Sequence, residues 1–349
     1  MSESKFLAIE PELEDYWRSI ILFGKNVACY KFALGKSLLE LATMGKTIIT
    51  LDELAEPFSR YVVEHLQQCD TQNQASDKPY PFIQACRQFN KGEITKDKLI
   101  ATTAQEGFKV VLDKFHNVNS QPLSVRFFDK TRGGITVTNE LFRLAQTEQF
   151  QNFTQEVEAR WRLVETAWKL NISRNLISVN YDEDKKILFT QVNQNRRVDV
   201  TSCRSALNAY QRGKCFYCNV NISIETGSDN LGEVDHFFAH YLANYGIAHP
   251  INGIWNLVLA CQKCNLSKSN RLPNKRYLQR LHQRNEYFVQ TPNTYKKIHG
   301  KYHPLRVALM EQTGQTEKER ISFINNNYYE AAAGPLINST WQPDFEYPN

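Results

Sequence analysis

Two C-x2-C pairs, Cys215/Cys218 and Cys261/Cys264, are the residues of this chain whose type and spacing carry the most chemistry. A C-x2-C turn presents both sulfurs on one side, within reach of one ion, and two such turns complete a closed tetrahedral site of the structural zinc type. Between Cys218 and Cys261 lie 42 residues, more than a simple zinc ribbon holds, so further residues are inserted there. A pair of disulfides would use the same cysteines, but it needs an oxidising compartment. The N-terminal MSESKFLAIEPELEDYW has neither the basic start nor the apolar centre of a signal peptide. The chain is therefore expected in a reducing cytoplasm, with Zn²⁺ held by the four thiolates. Cys29, Cys69, Cys86 and Cys203 have no metal-ligand spacing and read as ordinary core or surface thiols.

The insert contains Val234-Asp235-His236, then Asn256, and Asn265 directly follows the last cysteine. Val234-Asp-His reads as the end of a strand, and Asn265 opens a segment that can begin a helix. A strand hairpin feeding a helix would bring Asp235, His236 and Asn265 together beside the cysteines. An imidazole with a pKa near 6.5 can accept a proton at neutral pH, and carboxylate and amide oxygens are hard donors suited to Mg²⁺ or Mn²⁺.

The pattern C-x2-C, D-H, N, C-x2-C-N-x2-K, over residues 209–275, resembles the HNH endonucleases of the ββα-metal (His-Me finger) superfamily, in their zinc-stapled, endonuclease VII-like branch. That resemblance implies metal-dependent hydrolysis of phosphodiester bonds. His236 matches the general base, and Asn256 the residue that braces the loop carrying it. Asp235 and Asn265 match the ligands of one catalytic Mg²⁺ or Mn²⁺, and Lys268 sits where a cation can meet a phosphate. Many relatives have His where this chain has Asn265, and an amide oxygen shifts preference toward hard ions. His240, four residues past His236, is the candidate auxiliary phosphate contact. His249 reads as a loop or cap histidine.

Around this motif the chain has 349 residues, enough for two or three domains. No run approaches the 18 to 20 apolar residues of a membrane span, and no membrane partner is expected. Between 262 and 306 there are eleven Lys and Arg and one acid, Glu286. Lys275, Arg276, Arg280 and Arg284 fall close to an i, i+4 row on a helix expected over 274–287. With Lys268 and Arg271 they form the basic stripe expected to track a phosphate backbone, of DNA first and of RNA as the other polyanion such a stripe fits. Trp17–Ala42, Asp52–Leu66, Lys96–Phe115 and Phe150–Leu170 carry helical periodicity, with hairpins expected over 124–138 and 177–190. A further helix is expected over 317–333, and the aromatic residues Trp341, Phe345 and Tyr347 are expected to anchor the tail.

The expected fold class is thus α+β, in three parts. Residues 1–200 form a mostly helical specificity or partner-binding domain, 201–275 an HNH nuclease domain with structural zinc, and 276–349 a basic helical extension. The expected function is DNA cleavage, within a bacterial defence or restriction-type system on the family's habit. The alternative is a zinc-stapled module that binds nucleic acid without cutting, or a partner-gated subunit of a larger complex.

Overall fold

Apolar side chains at helical spacing build the first half of the molecule, and small antiparallel sheets brace it. The computed structural model describes residues 11–73, 80–118, 121–169, 179–182, 184–192, 196–245, 247–248, 250–290, 304–333 and 340–348. The chain divides into two units, Met1–Asn171 and Ile172–Asn349. Both 201–275 and 276–349 therefore belong to one unit, and the division falls at Asn171/Ile172 where a boundary near residue 200 was expected. The class is α+β, with helices and several sheets of two or three strands.

The first unit runs α1 (Leu13–Phe23), α2 (Tyr30–Ala42), β1 (Ile48–Thr50), α3 (Leu51–Gln68), α4 (Pro81–Asn90), α5 (Lys96–Glu106), α6 (Val111–Lys114), β2 (Asn117–Val118), β3 (Gln121–Pro122), β4 (Phe128–Lys130), β5 (Gly134–Val137), α7 (Asn139–Ala145) and α8 (Phe150–Lys169). The stretch 17–42, expected as one helical segment, breaks into α1 and α2 at Gly24. A β-carbon there would lie 2.3 Å from the Ile20 carbonyl oxygen, and the Asn26 side chain donates to the Gly24 carbonyl instead of continuing the helix. Lys96–Phe115 divides in the same way after Glu106. Strands β1, β5 and β4 form an antiparallel sheet in that order, which joins the expected 124–138 hairpin to a third strand. The core is aromatic: Trp17 meets Phe127 edge-on at 5.3 Å, and Phe32 of α2 stacks on Trp161 of α8.

A charged cluster lies inside this helical core. His65 of α3 stacks face to face on Trp161, its ring centroid 3.5 Å away. Its Nδ1 is 2.5 Å from Glu165 Oε1 and its Nε2 3.0 Å from Glu158 Oε2, both on α8. Lys36 of α2 and Arg162 complete the shell around Glu158, each donating at 2.8 Å. Burial works against the imidazolium, but the hydrogen bonds and charges of Glu158 and Glu165 outweigh it and raise the His65 pKa above its ordinary 6.5. Burial also works against the Glu158 carboxylate, and His65 and Lys36 outweigh it, holding that carboxyl well below its ordinary 4.5.

A raised imidazole pKa gives stability that is complete below about 6.5 and lost as pH rises through the folded value; a depressed carboxyl gives stability that is complete above about 4.5 and lost on acidification. The cluster is therefore most stabilising between those two values. His65→Gln should cost about 3 kcal/mol in that window, as expected for one partner of a buried pair, and progressively less at alkaline pH. Thermal melts of parent and variant across pH check this; a cost that does not change with pH overturns it.

The second unit opens with β6 (Val179–Asp182), β7 (Ile187–Val192) and β8 (Arg196–Ser202), an antiparallel meander in which β8 extends the hairpin expected over 177–190. Residues 177 and 178 lie outside the described residues. There follow α9 (Cys203–Gln211), β9 (Glu233–His236), β10 (Leu257–Ala260), α10 (Gln262–Lys268), α11 (Tyr277–Gln290), α12 (Pro304–Thr313) and α13 (Glu317–Ala333). Helix α13 has the bounds expected. Among the described residues no helix is long and apolar enough to cross a membrane.

Candidate metal centre and active site

Strand β10, Leu257-Val-Leu-Ala, is buried along its whole length and pairs antiparallel with β9, setting His236 opposite Leu257 and Asp235 opposite Val258. The chain leaves β10 at Cys261 and enters α10, whose first turn closes with the Asn265 N–H on the Cys261 carbonyl. The other cysteine turn docks on the same strand. Phe216 N–H donates to the Leu259 carbonyl at 2.9 Å, and the Gln211 side chain brackets Leu259, accepting from its N–H at 2.7 Å and donating to its carbonyl at 2.9 Å. Asn219 closes the turn in the left-handed region, at φ 62°, a conformation that Asn tolerates better than most residues.

These two turns bring Cys215, Cys218, Cys261 and Cys264 together, with all four sulfurs within 4.8 Å of one another. The Cys218 and Cys261 sulfurs are 3.7 Å apart. Sulfurs at the corners of a tetrahedron with Zn–S bonds of about 2.3 Å stand ~3.8 Å apart, so the donor set and its dimensions fit a structural zinc. Hydrogen bonding among the thiols, from Cys215 first, lowers Cys218 to about 7. Among the described residues this is the only grouping of His, Cys, Asp and Glu with metal-site dimensions.

Beside it, alternation along β9 separates its side chains. Glu233 and Asp235 face α10, where each meets a residue three positions apart on that helix: Asn265 Nδ2 donates to Glu233 Oε2 at 2.6 Å, and Lys268 Nζ donates to Asp235 Oδ1 at 3.1 Å. Tyr217 donates its hydroxyl to Asp235 Oδ2 at 2.6 Å, and Lys268 also donates to the His236 carbonyl at 2.7 Å. Asp235, Glu233 and the Asn265 amide carry oxygens of the kind Mg²⁺ or Mn²⁺ takes, but both Asp235 oxygens are engaged, Oδ1 by Lys268 and Oδ2 by Tyr217, and Asn265 bonds Glu233 where it was expected beside Asp235 and His236. His236 is turned the other way. Its Nε2 is 2.7 Å from Asn252 Oδ1, and its ring centroid is 5.6 Å from that of His240, which is exposed.

Asn256 is fully buried and its amide is saturated, accepting from Phe238 N–H at 2.8 Å and donating to the Phe238 and Ile251 carbonyls at 3.0 and 2.8 Å. It clamps the backbone directly after His236. Sequence reasoning missed Asn252, Tyr217 and Glu233. Of these only Glu233 left a signal, its two-residue spacing from Asp235.

The basic stripe is the largest departure. Lys268 is fully buried on Asp235, so it is no surface cation. Arg284 is buried too, hydrogen-bonded to the Ile254 and Trp255 carbonyls and lying over the Phe288 ring, and burial lowers its pKa to about 9. Arg280 donates to the carbonyls of Phe216 and Tyr217, inside the first cysteine turn, at 2.7 and 2.9 Å. The i, i+4 row on α11 thus donates to backbone carbonyls of the first cysteine turn and of the 254–256 turn. Arg276 pairs with Glu346, Lys275 lies on Tyr329, and Arg271 folds back onto the Ser267 carbonyl. His249, Lys296, Lys297 and Lys301 lie outside the described residues. Cys29, Cys69, Cys86 and Cys203 are buried core thiols.

The chain matches no protein-family model, no curated protein and no solved structure, so the reading of this site stands on its residues and their geometry.

One consequence separates a buried from an exposed lysine. Lys268→Met leaves the Asp235 carboxylate buried without its cation and should cost about 3 kcal/mol, lowering the melting temperature by several degrees. A surface phosphate contact would leave the melt unchanged and weaken only ligand binding.

Proposed function

We propose that this chain is a metal-dependent endonuclease of the HNH type, hydrolysing phosphodiester bonds in DNA. The observation that carries the reading is that one β9–β10–α10 unit beside a four-cysteine site carries Asp235, Glu233 and Asn265 on its helix side and His236, held next to a clamped loop, at the end of the same strand. In this reading His236 is the general base. Oriented by the contact of its Nε2 with Asn252 Oδ1, the imidazole takes a proton from water as the water oxygen attacks phosphorus. Asn252 holds the tautomer and ring orientation, and Asn256 holds the backbone that carries the ring. Asp235 and Asn265, with Glu233 bonded to the latter, would hold Mg²⁺ or Mn²⁺. When bound, that ion supplies charge stabilisation at the scissile phosphate and the leaving oxygen. Zn²⁺ held by Cys215, Cys218, Cys261 and Cys264 would serve the fold, since four thiolates complete a structural site.

A second reading, a module that binds nucleic acid without cutting it, draws on the Asp235–Lys268 pair, which occupies the carboxylate that a catalytic ion needs. One experiment separates the two. Purified protein is incubated with supercoiled plasmid, linear duplex, single-stranded DNA and RNA, each with Mg²⁺, Mn²⁺ or EDTA. Nicking that requires the divalent ion supports the nuclease; binding with no cleavage of any substrate supports the second reading.

A further inference from the structure

After α13 the chain returns over the metal-binding turns as an extended strap, Trp341–Pro348. It is anchored at both ends. Trp341 exchanges backbone hydrogen bonds with Leu272 and Asn274 and sets its buried indole edge-on to Tyr217, with 5.0 Å between ring centroids. Tyr347 donates its N–H to the Cys218 carbonyl at 2.8 Å and accepts from Asn219 Nδ2 at 3.0 Å. The side rings of Phe345 and Tyr347, expected to anchor the tail, are exposed instead; backbone and Trp341 do the anchoring.

Between the anchors two carboxylates point at cations. Glu346 Oε1 accepts from Arg276 Nη2 at 2.6 Å and from the Tyr277 hydroxyl, while its Oε2 is 3.7 Å from Arg280 Nη2. Asp344 Oδ2 is 3.6 Å from Lys263 Nζ. Lys268 and Arg284 are buried, whereas Lys263, Arg271, Lys275 and Arg276 are exposed and Arg280, held by Nη1 on the cysteine turn, turns Nη2 toward the strap. Of these cations Lys263, Arg276 and Arg280 are the ones that face the strap. The strap's acids sit on those three. An arginine–carboxylate contact at this distance has the geometry and charge of an arginine–phosphate contact. The Asp344–Lys263 pair is exposed and adds little to folding, and the anchors hold the strap without it, so a structural role leaves the placement of Asp344 unaccounted for; Glu346 is half-buried and faces two arginines at once.

We propose that the strap is an electrostatic gate: Asp344 and Glu346 occupy the phosphate positions of the basic face, and a nucleic-acid backbone must displace them to dock beside the β9–β10–α10 site. This rests on the reading of the chain as an enzyme or binder of nucleic acid. Displacement exchanges one anion for another on the same cations, so the closed strap lowers by one common factor the affinity for every nucleic acid that must displace it.

The test is the double variant Asp344→Asn/Glu346→Gln, which keeps Trp341 and the strap backbone, with Glu346→Gln alone as a milder form. Glu225→Gln/Asp229→Asn, two exposed acids outside the strap, controls for the change in total charge. Binding of a labelled DNA duplex is measured by anisotropy in EDTA at fixed salt, with zinc content and melting temperature as folding checks. The strap variant should bind on the order of tenfold more tightly than parent and control, from the exposed pairs it no longer has to break. Its zinc content and melt should match the parent's. Equal affinity in parent and strap variant, an equal gain in the control, or weaker binding by the variant each overturns the gate while leaving nucleic-acid binding in place. If neither parent nor variant binds DNA or RNA, the gate and the nuclease reading fall together.

Discussion

Cys264→Ser should purify without zinc and with the second unit unfolded, while the first unit keeps its helices. A structural zinc site binds its ion with an apparent free energy of about 10 to 16 kcal/mol, whereas a whole domain is stable by about 5 to 15 kcal/mol, so losing the ion removes most of what holds the module together. The turns that carry the cysteines show why nothing compensates. Asn219 sits in the left-handed region, the Arg280 guanidinium caps carbonyls of the same turn, and the strap hangs from the Cys218 carbonyl. The first unit has its own aromatic core around Trp17, Phe32 and Trp161. Elemental analysis, far-ultraviolet dichroism and a two-step melt read the result. Parent protein without zinc, or a variant with a single parent-like transition, overturns the scheme.

His236→Ala should slow phosphodiester cleavage by about 10²- to 10⁴-fold, the range for removing a positioned general base, with zinc content and nucleic-acid affinity unchanged. The ring bonds Asn252 and packs against the exposed His240. Asn252→Ala keeps the base but frees its tautomer, and should slow cleavage less than loss of the ring. Asp235 needs a gentler change. Alanine there would strand the Lys268 ammonium in the interior and confound lost activity with lost stability, whereas Asp235→Asn keeps a hydrogen-bonding oxygen for Lys268. His236→Ala that cuts as fast as the parent excludes His236 as the base and removes the core of the nuclease reading.

The helices of the first unit were legible where apolar periodicity ran unbroken, as in α3 and α8, and less so where a glycine interrupted it. α1 ends where Gly24 turns extended, and only glycine fits there because a β-carbon would meet the Ile20 carbonyl, a fact of packing that periodicity does not carry. The hairpin over 124–138 was visible from its Thr-Arg-Gly-Gly turn, but β1, which completes that sheet, comes from more than seventy residues earlier. Strand pairing at that separation leaves no local mark.

The site divides along the same line. Sequence by itself singled out the four cysteines as one cluster and the order strand, strand, helix around them, and the resemblance of the motif supplied the candidates His236, Asp235, Asn256 and Asn265. The cysteine cluster follows from two C-x2-C spacings, where covalent geometry leaves the chain few choices. Only the tertiary structure decided which charges face solvent. Arg276, Arg280 and Arg284 form the same i, i+4 row in both descriptions, but their partners stand 70, 64 and 30 residues away, and Lys268 reaches Asp235 across 33. A cation's role depends on whether water, a carbonyl or a carboxylate lies opposite it. That neighbour is supplied by chain closure over long sequence distances, where the entropy cost of ordering is met by burial of the whole unit and by no local pattern.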